Sequence, residues 1–113
     1  EKGRDHWENI VEFMSGSRPS AVPENDHARP GTRKILALVF EGPDAIGKIR
    51  AVLGPTDPAK APPGTIRKEF GTSMMINAAH ASDAPENAAR EIGIVQVADN
   101  ALKGFVESAA TAA

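Results

Sequence analysis

The sequence has no cysteine, which excludes a disulfide framework and a zinc site made of thiolates. It has no apolar run that approaches the ~20 residues of a membrane span. Its formal net charge is −2 and charges of both signs are interspersed, so the basic signature of a nucleic-acid-binding protein is missing as well. These absences favour a cytoplasmic globular protein that contacts neither membrane nor nucleic acid.

The length of 113 residues corresponds to a single domain. The chain starts at Glu1 without a methionine and without a secretory segment, so we expect a processed or partial chain. Residues 98–113 are expected to form a C-terminal extension, with a short helix over residues 99–108 and a frayed, alanine-rich end.

A long polar segment follows the first predicted helix. Residues 5–14 have apolar side chains at helical spacing, which predicts a helix that packs Trp7 toward the core. Residues 17–33 are rich in proline and polar residues and show no apolar period, so they predict a loop. His27 follows Asp26 in this loop and raises the hypothesis of a metal site, but a solvated loop histidine is the favoured interpretation.

Two apolar runs predict β-strands. Residues 34–41 form a continuous apolar run, typical of a central strand that is covered on both faces. Residues 73–80 predict a second strand that ends at the histidine. Residues 44–53, and a segment that opens at Pro85, have instead the apolar spacing and boundary residues of helices.

His80 is the candidate nucleophile. Upstream of it, Arg50, Thr56 and Arg67 supply two cations and a hydroxyl. A neutral imidazole is nucleophilic near pH 7, and arginines neutralise the oxygens of a phosphoryl group in transfer. The pattern indicates phosphoryl transfer through a phosphohistidine, although from these residues alone a structural histidine is the commoner interpretation.

Four ordered motifs resemble the nucleoside diphosphate kinase family. They are G-P-T-D-P at 54–58, P-G-T-I-R at 63–67, N-A-A-H-A-S-D at 77–83 and the E-I pair at 91–92. The resemblance extends over residues 4–97. The family pattern around the histidine is Asn-x-x-His-Gly-Ser-Asp, so Ala81 stands where the family has glycine.

The resemblance implies a fold of the α+β class. Members of the family have a ferredoxin-like sandwich, in which helices cover a four-stranded antiparallel sheet. The first strand of that sheet carries a Lys-Pro-Asp motif, which does not occur here. We therefore expect the N-terminal strands to be missing from this chain. Residues 17–33 are expected to be an insertion, because the family has only a tight turn there.

The resemblance also implies roles for individual residues. His80 would carry the phosphoryl group, Glu91 would orient its imidazole through a hydrogen bond, and Ser82 would complete the catalytic group. The implied nucleotide-binding residues are Arg50, Thr56 and Arg67 for the phosphates, Asn77 for the sugar, and His6, Trp7 and Ile10 for the base. The His6-Trp7 pair replaces an aromatic pair of the family.

The implied activity is that of a nucleoside diphosphate kinase, which exchanges phosphate between nucleoside tri- and diphosphates in a ping-pong reaction. Mg²⁺ would be carried by the nucleotide, and Asp83 would reach it only through water. A homo-oligomer would assemble through the 55–65 loop and the sheet edges. Two other hypotheses stay open: a weakly active or inactive nucleotide-binding or assembly module of the same fold, and a phosphohistidine carrier in a relay.

Overall fold

A computed structural model describes residues 2–97 and 101–112, without the side chains of residues 101 and 105. Its α-helices are α1 (Lys2–Ser15), α2 (Ala45–Leu53), α3 (Ile66–Phe70), α4 (Pro85–Val95) and α5 (Ala101–Ala112). Short 3₁₀ turns occur at Pro19–Ala21, Glu24–Asp26 and Pro58–Lys60. The chain divides into two compact units, Glu1–Leu36 and Ala37–Ala113. None of the described helices is long and apolar enough to cross a membrane.

Helix α1 of the first unit buries a carboxylate instead of its apolar stripe. Glu8 is only 5% exposed, whereas Trp7 is 53% exposed. Glu8 is satisfied by polar partners, because Ser20 Oγ donates to its Oε2 at 2.8 Å and Arg18 Nε lies 2.9 Å from the same oxygen. The predicted helix is confirmed and is longer than expected, but the prediction that Trp7 faces a core is wrong.

Arg18, the second residue of the predicted loop, forms hydrogen bonds and ion pairs with acidic and amide side chains of α1. Its Nη1 donates to Asn9 Oδ1 at 2.6 Å and to Glu12 Oε2 at 3.3 Å. Its Nη2 donates to Asp5, and this bond is the largest cause that raises the pKa of the guanidinium above its usual value. Charge-assisted hydrogen bonds therefore hold the start of the loop against the helix, and we call this set of Arg18 contacts the clasp.

The remainder of segment 17–33 is also folded onto itself. The Nε2 atom of His27 lies 3.1 Å from the Pro19 carbonyl oxygen and 3.0 Å from that of Val22. At the far end, the Thr32 backbone N–H donates to the Ser15 carbonyl at 2.7 Å. Among the described residues, no group of three or more His, Asp or Glu side chains is placed to hold a metal ion.

The buried part of the second unit consists of the proline-containing loop between α2 and α3 and the adjoining ends of these two helices. Its buried residues are Leu53, Pro58, Ala61, Thr65 and Arg67. Gly54 ends α2 with a φ of 84°, and a Cβ placed there would lie 2.8 Å from Thr65 Oγ1. Because only glycine tolerates both the positive φ and this close approach, the turn that opens the loop depends on Gly54.

Residues 2–97 and 101–112 contain no β-strand, so the predicted ferredoxin-like α+β sheet is wrong for this structure. Residues 34–41 form neither helix nor strand, and Ile35, Leu36 and Phe40 are exposed. An apolar run predicts a strand only where another strand pairs with its backbone groups. No described segment provides that pairing for residues 34–41.

The second predicted strand, residues 73–80, is replaced by turns. The backbone N–H groups of Thr72 and Ser73 both donate to the Ile76 carbonyl, at 2.8 Å and 3.2 Å. The Ile76 N–H in turn donates to Ser73 Oγ at 3.0 Å. These local bonds use backbone groups that a β-ladder would need, which is how serine and threonine compete with regular structure.

The predicted helices agree better with the structure. The helices expected over residues 44–53 and from Pro85 onward are confirmed as α2 and α4, and the helix expected over residues 99–108 is present as α5. Residues 98–100, where the predicted C-terminal extension begins, lie outside the described residues, as does the side chain of Phe105.

The clasp between Arg18 and α1 predicts an unequal response to two arginine substitutions. Arg18→Met leaves the buried Glu8 carboxylate without its closest cation, so we expect the melting temperature to fall by about 5 °C or more. The matched control is Arg29→Met, which removes only the pair between the exposed Arg29 and the half-buried Asp26 and should lower the melting temperature by less than about 2 °C. Equal shifts in thermal unfolding of the two variants would contradict the clasp.

Candidate active site

A cleft of about 400 Å³ in the second unit brings together most of the predicted site residues. Its wall is formed by Arg50, Thr56, Arg67, Asn77, Ala79, His80, Ala81, Asp83, Asn87, Arg90 and Glu91. Helix α2 supplies Arg50 and α3 supplies Arg67. Helix α4 supplies Asn87, Arg90 and Glu91. Residues that are far apart in the sequence therefore share one concave surface, which is the usual form of a small-molecule site.

His80 is oriented by a carboxylate. Its Nε2 lies 3.0 Å from Glu91 Oε1, and its side chain is 71% exposed. The other oxygen of Glu91 accepts a hydrogen bond from Ser82 Oγ. The Ser82 bond, followed by that of His80, lowers the pKa of the Glu91 carboxyl, so Glu91 is an anion at neutral pH and can only accept. The proton of the neutral imidazole is consequently on Nε2, and Nδ1 presents a lone pair.

Arg67 is buried, with 9% exposure, and is bonded to two backbone carbonyls. Its Nη1 donates to the Gly54 carbonyl at 3.0 Å. Its Nε and Nη2 both donate to the Ala79 carbonyl, at 3.3 Å and 2.9 Å. Burial, and then the neighbouring Arg50, lower the pKa of this guanidinium from its usual value. Arg67 thus joins the end of α2 to the residue that precedes His80.

The backbone before His80 contains a strained turn. Ala78 has a φ of 73°, and the Ala79 N–H donates to the Asn77 carbonyl at 3.0 Å. A bond between residues two apart with a positive φ at the centre is the γ-turn that is rare for residues other than glycine. Asn77 is itself held, because its Nδ2 donates to the Thr56 carbonyl at 3.2 Å.

Asp83 is held by a residue that sequence reasoning missed. The Nδ2 atom of Asn87 donates to Asp83 Oδ1 at 2.6 Å. This bond is the largest cause that lowers the pKa of Asp83, and Arg50 and His80 contribute further. The four-residue spacing from Asp83 to Asn87 at the start of a predicted helix was the signal available in the sequence.

Arg90 is, after Asn87, the second polar wall residue that was not predicted. Its Nη2 lies 3.9 Å from Glu91 Oε1, and its side chain is 61% exposed. Its position directly before Glu91, on a segment with a predicted helical pattern, gave no indication of which way it faces.

The donor set of the cleft fits a metal that arrives with a phosphate ligand. Asp83 offers a single carboxylate oxygen, Oδ2, because its Oδ1 already accepts a hydrogen bond from Asn87. Mg²⁺ requires an octahedron of oxygens and keeps several waters when it is bound through one carboxylate and substrate phosphates. The cleft suits that arrangement and not a cage made by protein side chains.

Four predicted site residues are not part of the cleft wall. Ser82 contacts it only through the hydrogen bond that its hydroxyl donates to Glu91. His6, Trp7 and Ile10 belong to α1 in the first unit, and their assignment to the nucleotide base stays a prediction.

Comparison with known proteins identifies similar sequences along most of the chain. Residues 1–100 match the family model described as Nucleoside diphosphate kinase. The nucleoside diphosphate kinase of Thiobacillus denitrificans is 50% identical over 91 residues, which cover 80% of this chain and 53% of that protein. The nucleoside diphosphate kinase of Hydrogenovibrio crunogenus is 57% identical over 58 residues, which cover 51% of this chain and 41% of that protein.

Among solved structures, an orthorhombic crystal form of the Aquifex aeolicus nucleoside diphosphate kinase is similar, with 44% sequence identity and a TM-score of 0.46. The matched region covers 54% of this chain and 43% of the chain in that structure. The chain spans about half the length of the curated relatives it matches.

The strained turn at Ala78 predicts opposite effects of two substitutions. Ala78→Gly removes the clash of Cβ at positive φ and should raise the free energy of unfolding by up to about 1 kcal/mol, whereas Ala78→Val should lower it by about 1–2 kcal/mol. The control is Ala81→Gly, at a residue without positive φ, where added flexibility should only destabilise. Denaturant unfolding that shows Ala78→Gly to be as destabilising as Ala81→Gly would contradict the strain.

The bond from Ser82 to Glu91 predicts a pH-dependent loss of stability in Ser82→Ala. A carboxyl with a lowered pKa in the folded protein contributes stability above its ordinary value of 4.5, and this contribution is lost as the pH falls through the folded pKa. The stability difference between parent and variant should therefore be constant well above pH 4.5 and shrink below it. Denaturant unfolding at several pH values measures it. Ser73→Ala, which removes a bond between neutral groups, should give a difference that does not change with pH.

Proposed function

The chain belongs to the nucleoside diphosphate kinase family, and we propose that the protein carrying it moves the γ-phosphoryl group of a nucleoside triphosphate to a nucleoside diphosphate through a phosphohistidine at His80. The observation that supports this most strongly is the 3.0 Å contact between His80 Nε2 and Glu91, in a cleft lined by arginines. It leaves Nδ1 as the nucleophilic nitrogen.

In the first half-reaction, the lone pair of Nδ1 attacks the γ-phosphorus, and the bond from that phosphorus to the β,γ-bridging oxygen breaks. The nucleoside diphosphate leaves with the electron pair of this bond. The imidazole gains positive charge while its Nε2–H stays bonded to Glu91. The negative Glu91 carboxylate, whose pKa is lowered by Ser82 and His80, stabilises that charge without taking the proton.

In the second half-reaction, a terminal oxygen of an acceptor nucleoside diphosphate attacks the phosphorus on Nδ1. The P–N bond breaks, its electron pair returns to Nδ1, and His80 is again neutral with its proton on Nε2. The two half-reactions use the same groups in opposite order, which is the ping-pong scheme of a covalent intermediate.

The phosphate contacts are proposed for Arg50, Arg67 and Thr56. Three of the five N–H donors of Arg67 are bonded to carbonyls, which leaves two for phosphate oxygens. Asn77 uses its amide N–H₂ for the Thr56 carbonyl, so its own carbonyl oxygen is the atom proposed to accept from a sugar hydroxyl.

Other parts of the proposal rest on the family relationship. His6, Trp7 and Ile10 are proposed to contact the base. Mg²⁺, when it is bound to the nucleotide, neutralises phosphate charge, and Asp83 is the residue proposed to hold its water shell. A cytoplasmic protein that oligomerises through the 55–65 loop is proposed on the same ground.

The central test is covalent labelling of the protein that carries this chain with a γ-³²P nucleoside triphosphate. We expect acid-labile, base-stable label on His80 and transfer of that label to added nucleoside diphosphate. His80→Ala should lose the label entirely, whereas the matched control His27→Ala should keep it, because His27 bonds to carbonyls within the first unit.

The outcomes separate the competing hypotheses. Label that persists in His80→Ala would remove His80 from the mechanism. Label on His80 without transfer to nucleoside diphosphates would favour the carrier hypothesis. Nucleotide binding without label would favour the inactive module, for which the Ala81 and His6 departures from the family pattern are the motivating observations.

A further inference from the structure

Arg67 makes contacts that a residue used only for phosphate binding does not need. It is buried, and its three hydrogen bonds go to backbone carbonyls of Gly54 and Ala79. The planar fork of the guanidinium allows Nε and Nη2 to grip one carbonyl while Nη1 reaches the other. The second of these carbonyls belongs to the residue bonded directly to His80.

The segment gripped by Arg67 is under strain. The γ-turn centred on Ala78 has a φ of 73°, a conformation that costs on the order of 1–3 kcal/mol for a residue other than glycine. Such a conformation persists only where neighbouring contacts hold it. Here the contacts come from two sides: Asn77 bonds to the Thr56 carbonyl, and the Ala79 carbonyl receives two N–H groups of Arg67.

The direction of His80 depends on this turn. Its side chain is largely exposed and contacts Glu91 through a single hydrogen bond. Because few packing contacts restrict an exposed imidazole, the backbone from which it projects determines whether Nε2 meets Glu91. A relaxed turn at Ala78 would rotate that backbone and move the ring away from the carboxylate.

We propose that Arg67 is a positioning residue for His80: through the Ala79 carbonyl, its guanidinium holds the strained turn that directs the His80 imidazole onto Glu91. This inference rests on the proposed function of His80 and adds to the phosphate contact proposed for Arg67. It explains why an arginine at this place is buried, whereas the other arginine that is proposed to bind phosphate is not.

Arg50 is the matched control. It lines the same cleft and carries the same charge, but it is exposed and makes no side-chain hydrogen bond within residues 2–97 and 101–112. Substitution of either arginine removes a cation from the phosphate site. Only substitution of Arg67 also removes the grip on Ala79.

The test measures the Glu91 carboxyl by NMR titration of ¹³C-glutamate-labelled protein in buffer without nucleotide. The Glu91 pKa is lowered in part by the hydrogen bond from His80. In Arg67→Ala we expect the titration midpoint of Glu91 to rise and the nuclear Overhauser contacts between the His80 ring and the Glu91 side chain to be lost. Arg67→Lys should shift the midpoint in the same direction by less, because one ammonium cannot grip both carbonyls. Ser82→Ala is the positive control for a raised midpoint.

Arg50→Ala and Arg50→Lys should keep the nuclear Overhauser contacts between His80 and Glu91. Their Glu91 titration midpoint should stay below that of Arg67→Ala, because Arg50 does not hold the turn before His80. Arg67 variants that keep the contacts and the midpoint would overturn the proposal. So would unfolding of both Arg67 variants with both Arg50 variants folded, since Arg67 would then serve the whole unit and not His80. The measurement needs no phosphoryl transfer, so it can succeed even if the labelling of His80 fails.

Discussion

The hydrogen bonds of Arg67 to the Gly54 and Ala79 carbonyls are the contacts on which the geometry of the cleft depends most. They join the end of α2, the short helix α3 and the turn before His80 through one buried guanidinium. The unit has a small apolar core, with Leu53 and Ala61 as its buried hydrophobic residues among those described. Because apolar burial is small, directional bonds from a buried cation have more weight here than in a domain with a large core.

The electrostatics of the cleft are arranged around a carboxylate that stays ionised. Ser82 and His80 lower the pKa of Glu91, and Asn87 does the same for Asp83. Both anions therefore face the arginines as permanent charges at neutral pH. In the proposed reaction, this balance would let the wall receive the negative charge of phosphates while a carboxylate supports the positive charge that develops on His80.

Helices α1, α2 and α4 were predictable from the sequence because their signals are local: apolar spacing, Gly54 after α2, and Pro85 at the start of α4. The short helix α3 (Ile66–Phe70) has no such periodic signal and was not predicted. The strands were not predictable, because a strand exists only with a partner, and residues 34–41 have none in the described chain.

The motifs around His80 singled out His80, Glu91, Arg50 and Arg67, and the structure places these four side chains along one cleft wall. Their roles stay predictions. The carbonyl contacts of Arg67 and the clasp of Arg18 on Glu8 depend on three-dimensional proximity, for which the sequence holds no local pattern.

The central claim is that the contact between Glu91 and Nε2 makes Nδ1 of His80 the atom that accepts phosphate. The most direct measurement is ¹⁵N and ³¹P NMR of the phosphorylated protein, labelled with ¹⁵N-histidine, which distinguishes the two phosphohistidine isomers by coupling between phosphorus and the bonded nitrogen. The account predicts a phosphoryl group on Nδ1 with the proton retained on Nε2. A phosphoryl group on Nε2 would contradict it, because that nitrogen would then not be bonded to Glu91.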